Sequence, residues 1–113
     1  MDLQAIVNEM KTEASAASRV LADKHYDGRD GGACGFAWVS VYPKNKGNTK
    51  LGKQERAVLK EMGFRPSYEG GFQLWDPAGW PGQSIDIKEA GAVAAANVLK
   101  KHGFTAYAGS RLD

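Results

Sequence analysis

Two stretches of this chain end in the same way. Residues 57–64 read AVLKEMGF and residues 97–104 read NVLKKHGF. Each is the close of an apolar-periodic segment, then a glycine, then an aromatic leading into β-type sequence. Glycine adopts the left-handed conformation that closes a helix without steric penalty. The pair thus marks two helix-to-strand junctions. Common capping chemistry would produce such a pair, and so would two βαβ-like halves of one domain.

The segments around the junctions favour the second arrangement. Gly35 to Tyr42 (GFAWVSVY) is β-branched and aromatic and is stopped by Pro43, which predicts a strand. A helix is predicted from about Lys53 to Met62, with Val58, Leu59 and Met62 as its apolar face. Phe64 to Tyr68 and Phe72 to Trp75 flank the turn Glu69-Gly70-Gly71 and predict a hairpin. Asp86 opens the third helix, with Glu89 three residues on as its capping-box partner. Phe104 to Gly109 is the last strand. Ahead of all this, Asp2 to about Lys24 carries an apolar stripe at helical spacing, Leu3, Ile6, Val7, Met10, Ala14, Ala17 and Leu21. The joint Gly28 to Gly32 follows. The expected fold is an α+β domain: an N-terminal helix, then β-α-β-β-α-β, the ferredoxin-like or split βαβ order with an antiparallel sheet. Pro66 suits the second strand, which that order puts at an edge.

A chain of 113 residues fits one domain, with residues 1–27 as the leading helix and 33–113 as the β-α-β-β-α-β core. The net charge of +2 permits an anionic partner without demanding one. Cys34 is the only cysteine, so no intramolecular disulfide forms, and a reducing, cytoplasmic setting is expected. No basic-then-apolar leader opens the chain, and Ala90 to Leu99 is too short to span a bilayer, so no membrane partner is expected. No HExxH or CxxC spacing is present, and neither a metal nor another cofactor is expected.

Alternation gives the first strand two unlike faces. Ala37, Val39 and Val41 are compact. Phe36, Trp38 and Tyr42 are large aromatics, with Ser40 among them. The two crossover helices are expected over the compact side, with Gly91, Ala94 and Ala95 letting the third helix approach closely. The N-terminal helix, with its apolar stripe, is expected to cover the aromatic side. Base stacking on those aromatics is the competing expectation, because ferredoxin-like domains that bind RNA stack bases on their two central strands.

Two further stretches offer contacts. The loop PKNKGNTKLGK sets Lys44, Lys46, Lys50 and Lys53 around Asn48 and Thr49, just before a helix N-terminus. Ammonium groups, free N–H groups and the helix dipole together suit a phosphate, although the Walker spacing is absent. The connector Trp75 to Ser84 (WDPAGWPGQS) is stiffened by two prolines and presents Trp80 outside any regular pattern. Trp38, Tyr42, Trp75, Trp80 and Arg111 are the candidate partner contacts. A thiol enzyme would use Cys34 with His25 or His102 as base, but no third group is positioned to complete it.

The run KKHGFTAYAGSRLD, together with CGFAWVSVYPKNKGNTK, resembles small proteins of unassigned function carried by tailed bacteriophages. The resemblance covers most of the chain after Cys34. It implies a cytosolic accessory protein that binds a host protein, a nucleotide signal or nucleic acid. The expected function is therefore a non-enzymatic binding module for a phosphate-bearing ligand, nucleotide or nucleic acid. Lys44, Lys46, Lys50 and Lys53 would neutralise phosphate, Asn48 and Thr49 would add hydrogen bonds, and Trp80 or the strand aromatics would stack. The alternative is a protein-interaction module or inhibitor of a host protein, with a homo-oligomer as one form of it.

Overall fold

The computed structural model describes residues 2–113. Helix α1 spans Leu3–His25, strand β1 Gly35–Val41, helix α2 Lys50–Glu61, strand β2 Arg65–Pro66, strand β3 Phe72–Trp75, helix α3 Ile85–Lys101 and strand β4 Ala106–Leu112. The four strands form one sheet in the order β2-β3-β1-β4, and every neighbouring pair is antiparallel. The described residues form an α+β domain of three helices and a four-stranded antiparallel sheet.

The two glycine junctions share one geometry. Gly63 and Gly103 take φ of 101° and 92°. Phe64 N–H donates to Leu59 O, and Phe104 N–H to Leu99 O, each at 3.0 Å. These are the long bonds of a Schellman cap. Each cap turns a phenylalanine back toward its own helix: Phe64 is wholly buried and Phe104 is half-buried against the same core.

Other element ends differ from expectation for local reasons. Helix α2 begins at Lys50, because the Thr49 hydroxyl accepts from Gly52 N–H as its cap. Ser84, not Asp86, caps α3 by accepting from Ile87 N–H. Asp86 instead receives the Tyr26 hydroxyl at 2.7 Å, and Glu89 receives the Ser110 hydroxyl. The capping box is thus replaced by two tertiary bonds. Strand β2 shrinks to two residues beside Pro66, and β4 runs on to Leu112 by pairing along the whole of β1.

The largest departure concerns α1. Its buried residues, Ile6, Val7, Met10, Ala14, Ser18 and Ala22, pack against α3 and share one core with Val39, Val41, Phe72 and Ala106 on the compact face of the sheet. The helix does not cover the aromatic face. The molecule measures only 17 Å across its shortest axis, which leaves room for one sheet layer and one helix layer. The reason lies in side-chain size. The second half of the buried face of α1 is small, Ala14, Ser18 and Ala22, with the expected Ala17 and Leu21 only half-buried beside it, and it fits a small-residue face rather than a bed of tryptophans. Gly91 supplies that face: a Cβ there would come within 2.8 Å of Ser18 Oγ and 2.6 Å of the Ala78 Cβ. The Ser18 hydroxyl then donates to Ile87 O at 2.7 Å across the contact. Gly91 therefore serves the approach of α1, where the sequence suggested approach to the sheet.

Replacing Gly91 by valine should destabilise the fold by about 1–3 kcal/mol through overpacking, despite valine's better helix propensity. Urea unfolding followed by far-UV circular dichroism checks this; an unchanged midpoint would mean that α1 does not lie against α3 at Gly91.

Candidate functional site: the open aromatic face

Strand register sorts the outward-facing residues. Trp38 pairs with Trp75 on β3 and Gly109 on β4; Ser40 pairs with Gln73 and Tyr107; Phe36 pairs with Arg111. Since period 2 keeps directly paired residues on one face, Phe36, Trp38, Ser40, Gln73, Trp75, Tyr107 and Arg111 all share the face that carries no helix. Arg65 joins them opposite Gln73.

The large rings form two clusters. At the N-terminal end of β1, the Trp38 and Trp75 rings stack with centroids 4.8 Å apart, and Phe36 tilts against Trp75 at 5.7 Å. Trp38 lies flat across β4, and it fits only because Gly109 has no side chain: a Cβ there would stand 2.5 Å from the indole nitrogen. The Arg111 guanidinium caps the group, 5.5 Å from the Phe36 ring and 5.6 Å from Trp75. Trp75 Nε1 donates to Gln73 Oε1, which fixes its orientation. Trp75 remains 45% exposed. At the other end Tyr42 and Tyr107 stand 6.0 Å apart, with Lys100 Nζ 5.7 Å from the Tyr107 ring. A cavity of about 280 Å³, lined by Trp38, Gln73, Trp75 and Arg111 and by Pro66, Ser67, Tyr68 and Glu69 of the β2–β3 turn, indents the face. Tyr68, at the β2–β3 turn, is fully exposed beside it.

The lysine loop lies beyond the Tyr42 end. Lys44, Lys46, Lys50 and Lys53 are all exposed. The loop's N–H groups, however, already have an anion. Glu55 accepts from Lys44 N–H, Asn45 N–H and Asn45 Nδ2 at 2.8 to 2.9 Å. Those bonds, the one from Lys44 N–H foremost, hold its carboxyl below the usual glutamate range. Thr49 is occupied as the helix cap and donates to Lys46 O, while Asn48 is exposed. The lysines therefore offer charge at the rim of a loop whose Lys44 and Asn45 N–H groups are already taken by Glu55.

Trp80 is at the opposite end of the sheet from that loop, so the structure does not bring the two together. It is half-buried and pinned. Its indole N–H donates to Asp30 Oδ1 at 2.7 Å, and Arg19 lies 5.1 Å above its ring. The same carboxylate accepts from Gln83 N–H and Ser84 N–H. These donors, the Trp80 bond first, hold the Asp30 carboxyl below its usual range. The sequence gives Asp30 only as part of a glycine-rich joint, yet it is the clamp that shapes the connector. A lone carboxylate between glycines is a weak signal, and its partners are fifty or more residues away.

Cys34 is exposed, and His102 is bound to Glu9 at 2.8 Å at the far end of the sheet, so these two do not meet. Among the described residues, no group of three or more His, Cys, Asp or Glu side chains is placed to hold a metal ion, and no helix is long and apolar enough to cross a membrane. No protein-family model matches the chain, and neither a characterised protein nor a solved structure shows significant similarity to it.

The depressed Asp30 pKa fixes the sign of a pH effect. The clamp contributes fully above the ordinary aspartate value of 3.8 and is lost as pH falls through the lower folded value. In a Trp38→Phe/Trp75→Phe background, Trp80 emission should hold steady from roughly pH 7 to pH 4 and change only below that. Asp30→Asn should show the changed emission already at neutral pH; an Asn variant indistinguishable from its parent would refute the clamp.

Proposed function

We propose that this domain binds single-stranded nucleic acid on its open sheet face. The carrying observation is the helix-free platform of Phe36, Trp38 and Trp75 on the two central strands, in which the half-exposed Trp75 is outermost and Arg111 lies beside it. Aromatic faces on central strands stack unpaired bases, and arginine beside them adds charge and cation–π attraction for the phosphates. Trp75 presents the more exposed ring for a first base. Tyr42 and Tyr107 offer a second stacking position about 13 Å away along β1, at roughly 3.3 Å per residue. The free amide of Gln73 lies between and suits a base edge, while Ser40 beside it is buried. Arg65, Arg111 and Lys100 flank this path, and Lys44 and Lys46 continue it past the sheet.

The strand order β2-β3-β1-β4 is the order a split βαβ arrangement generates, which supports reading the domain as ferredoxin-like with α1 added to its helix layer. The resemblance to small tailed-phage proteins suits a cytoplasmic, non-enzymatic accessory role. A host protein is the competing occupant of the same face. Charge and ring placement favour nucleic acid: Arg65 and Arg111 stand at paired outward positions of this face, against one carboxylate, Glu69, at the β2–β3 turn.

Titration with a fluorescein-labelled oligonucleotide of about ten nucleotides, read by anisotropy, tests the proposal. Binding should weaken steeply with salt. Trp75→Ala should lower affinity by roughly 5- to 100-fold, the range for losing one stacked base, with the circular dichroism spectrum retained. Absence of binding to both DNA and RNA oligonucleotides at low salt, or equal binding by Trp75→Ala, would overturn it.

A further inference from the structure

The two edges of the sheet are built differently. The β2 edge is two residues long and contains Pro66, which cannot donate to another strand. The β4 edge is seven residues long, with the sequence AYAGSRL. It has no proline and no bulge, since its pairing with β1 runs in one register from Ala106 to Leu112. Its only charge is Arg111. Edges of this length are ordinarily blunted, because they template pairing with another chain.

The free hydrogen-bonding groups of that edge can be assigned. Tyr42 N–H donates to Thr105 O, and Asp113 N–H donates to Cys34 O, one bond at each end of the β1–β4 ladder. In an antiparallel ladder alternate residues turn both their N–H and C=O toward the partner. Thr105, Tyr107, Gly109, Arg111 and Asp113 therefore face β1. Ala106, Ala108, Ser110 and Leu112 turn their main-chain groups outward, and no other backbone segment among the described residues bonds them.

We propose that β4 pairs antiparallel with β4 of a second copy of this chain, about a two-fold axis at Gly109. This register is the one that satisfies all four outward residues at once. Ala108 meets Ser110 of the second copy, and Ala106 meets Leu112, each as a hydrogen-bonded pair. Gly109 faces its own symmetry mate, so no side chain separates the two Trp38 rings that lie across that position. Tyr107 stands opposite Arg111 of the second copy in a close, non-hydrogen-bonded pair, its ring against the aliphatic stem of an arginine whose guanidinium stays over Phe36 and Trp75. The two Arg111 side chains stay about 13 Å apart along the strand direction, so their repulsion is weak. Leu112 is 67% exposed and Tyr107 56% exposed in the single chain, and both lose exposure in this pairing. On the helix side α3 packs over β4 at the buried Ala106 and reaches Ser110 through Glu89, and Ala108 between them is left exposed.

The pairing also closes. An isologous contact uses up the same patch on both copies. The resulting continuous sheet has a β2 strand at each end, and Pro66 and the shortness of β2 stop further growth. The partner is therefore one further copy, and the product is a dimer and not a fibre. It joins the two aromatic platforms into one surface, but the pairing itself does not depend on what that surface binds.

Sedimentation equilibrium of the full chain, from about 1 to 200 μM, reads the association. The wild type should fit a monomer–dimer equilibrium. Ala108→Pro removes an outward N–H that the single chain does not use, and it should raise the dimer dissociation constant by about 100-fold, since two symmetric bonds are lost. Ala108→Glu places a carboxylate at the same exposed edge position, opposite Ser110 and the Glu89 bonded to it in the second copy, and like-charge repulsion should act in the same direction; it keeps the test readable if the proline variant unfolds. Trp75→Ala should leave the dissociation constant unchanged. A wild type that is monomeric throughout, or a dimer that persists in a folded Ala108→Glu variant, would overturn the proposal. So would a dimer that dissociates only on Trp75→Ala, because that places the interface on the sheet face.

Discussion

The contact of α1 with α3 decides which side of the sheet meets water. An alanine-rich helix such as α3 is too thin to fill a core from one side. Its buried residues, among them Ile87, Gly91, Ala92, Ala95, Val98 and Leu99, occupy more than one face, and they need both the sheet and α1 as neighbours. Once α1 is committed to that role, no element remains for the opposite face of β1. The exposure of Trp75 and the Tyr42–Tyr107 pair follows from helix packing on the far side of the molecule.

An aromatic face left in water carries a cost, at about 25 cal/mol for each Å² of apolar surface not buried. The chain reduces that cost locally. Trp38 lies down on Gly109, so much of one ring face meets backbone. Trp75 stacks on Trp38, and Arg111 spans Trp75 and Phe36 with its planar guanidinium. Arginine is suited to this because it is weakly hydrated and stacks on rings. The result is a platform rigid enough to receive a flat partner with little ordering entropy, while the outermost ring of Trp75 stays available.

The sequence carried the elements well and their assembly less well. The glycine stops at Gly63 and Gly103, the β1 strand, the Gly70-Gly71 hairpin and the stripe of α1 were all visible, because each is a local pattern of propensity, spacing or φ. The antiparallel four-stranded sheet followed from their order. The side on which α1 packs was not visible, since an apolar stripe says that a helix is buried and not what buries it. Side-chain size held the missing clue: Ala14, Ser18 and Ala22 match Gly91, and nothing on α1 matches tryptophan. The same limit applies to the caps. Asp86 and Glu89 have capping-box spacing, yet Tyr26 and Ser110 claim them from distant parts of the chain.

Asp30 shows how far such long-range bonds reach into the site. Held below its usual pKa by Trp80, Gln83 and Ser84, its carboxylate folds the connector back against the end of the sheet. Trp80, which the sequence leaves open between an exposed contact and a plug folded back on the core, has its polar edge bonded and a ring face covered. Trp75, which the sequence places inside a strand, is the one left half exposed. The connector begins at Trp75 and returns through Gly35 N–H to Gln83 O and Ile85 N–H to Ala33 O, so the clamp also anchors the start of β1. A single carboxylate thus fixes both the loop that stays off the open face and the first strand that carries it, which is why the exposed aromatics are confined to the sheet and do not spread over the end of the molecule.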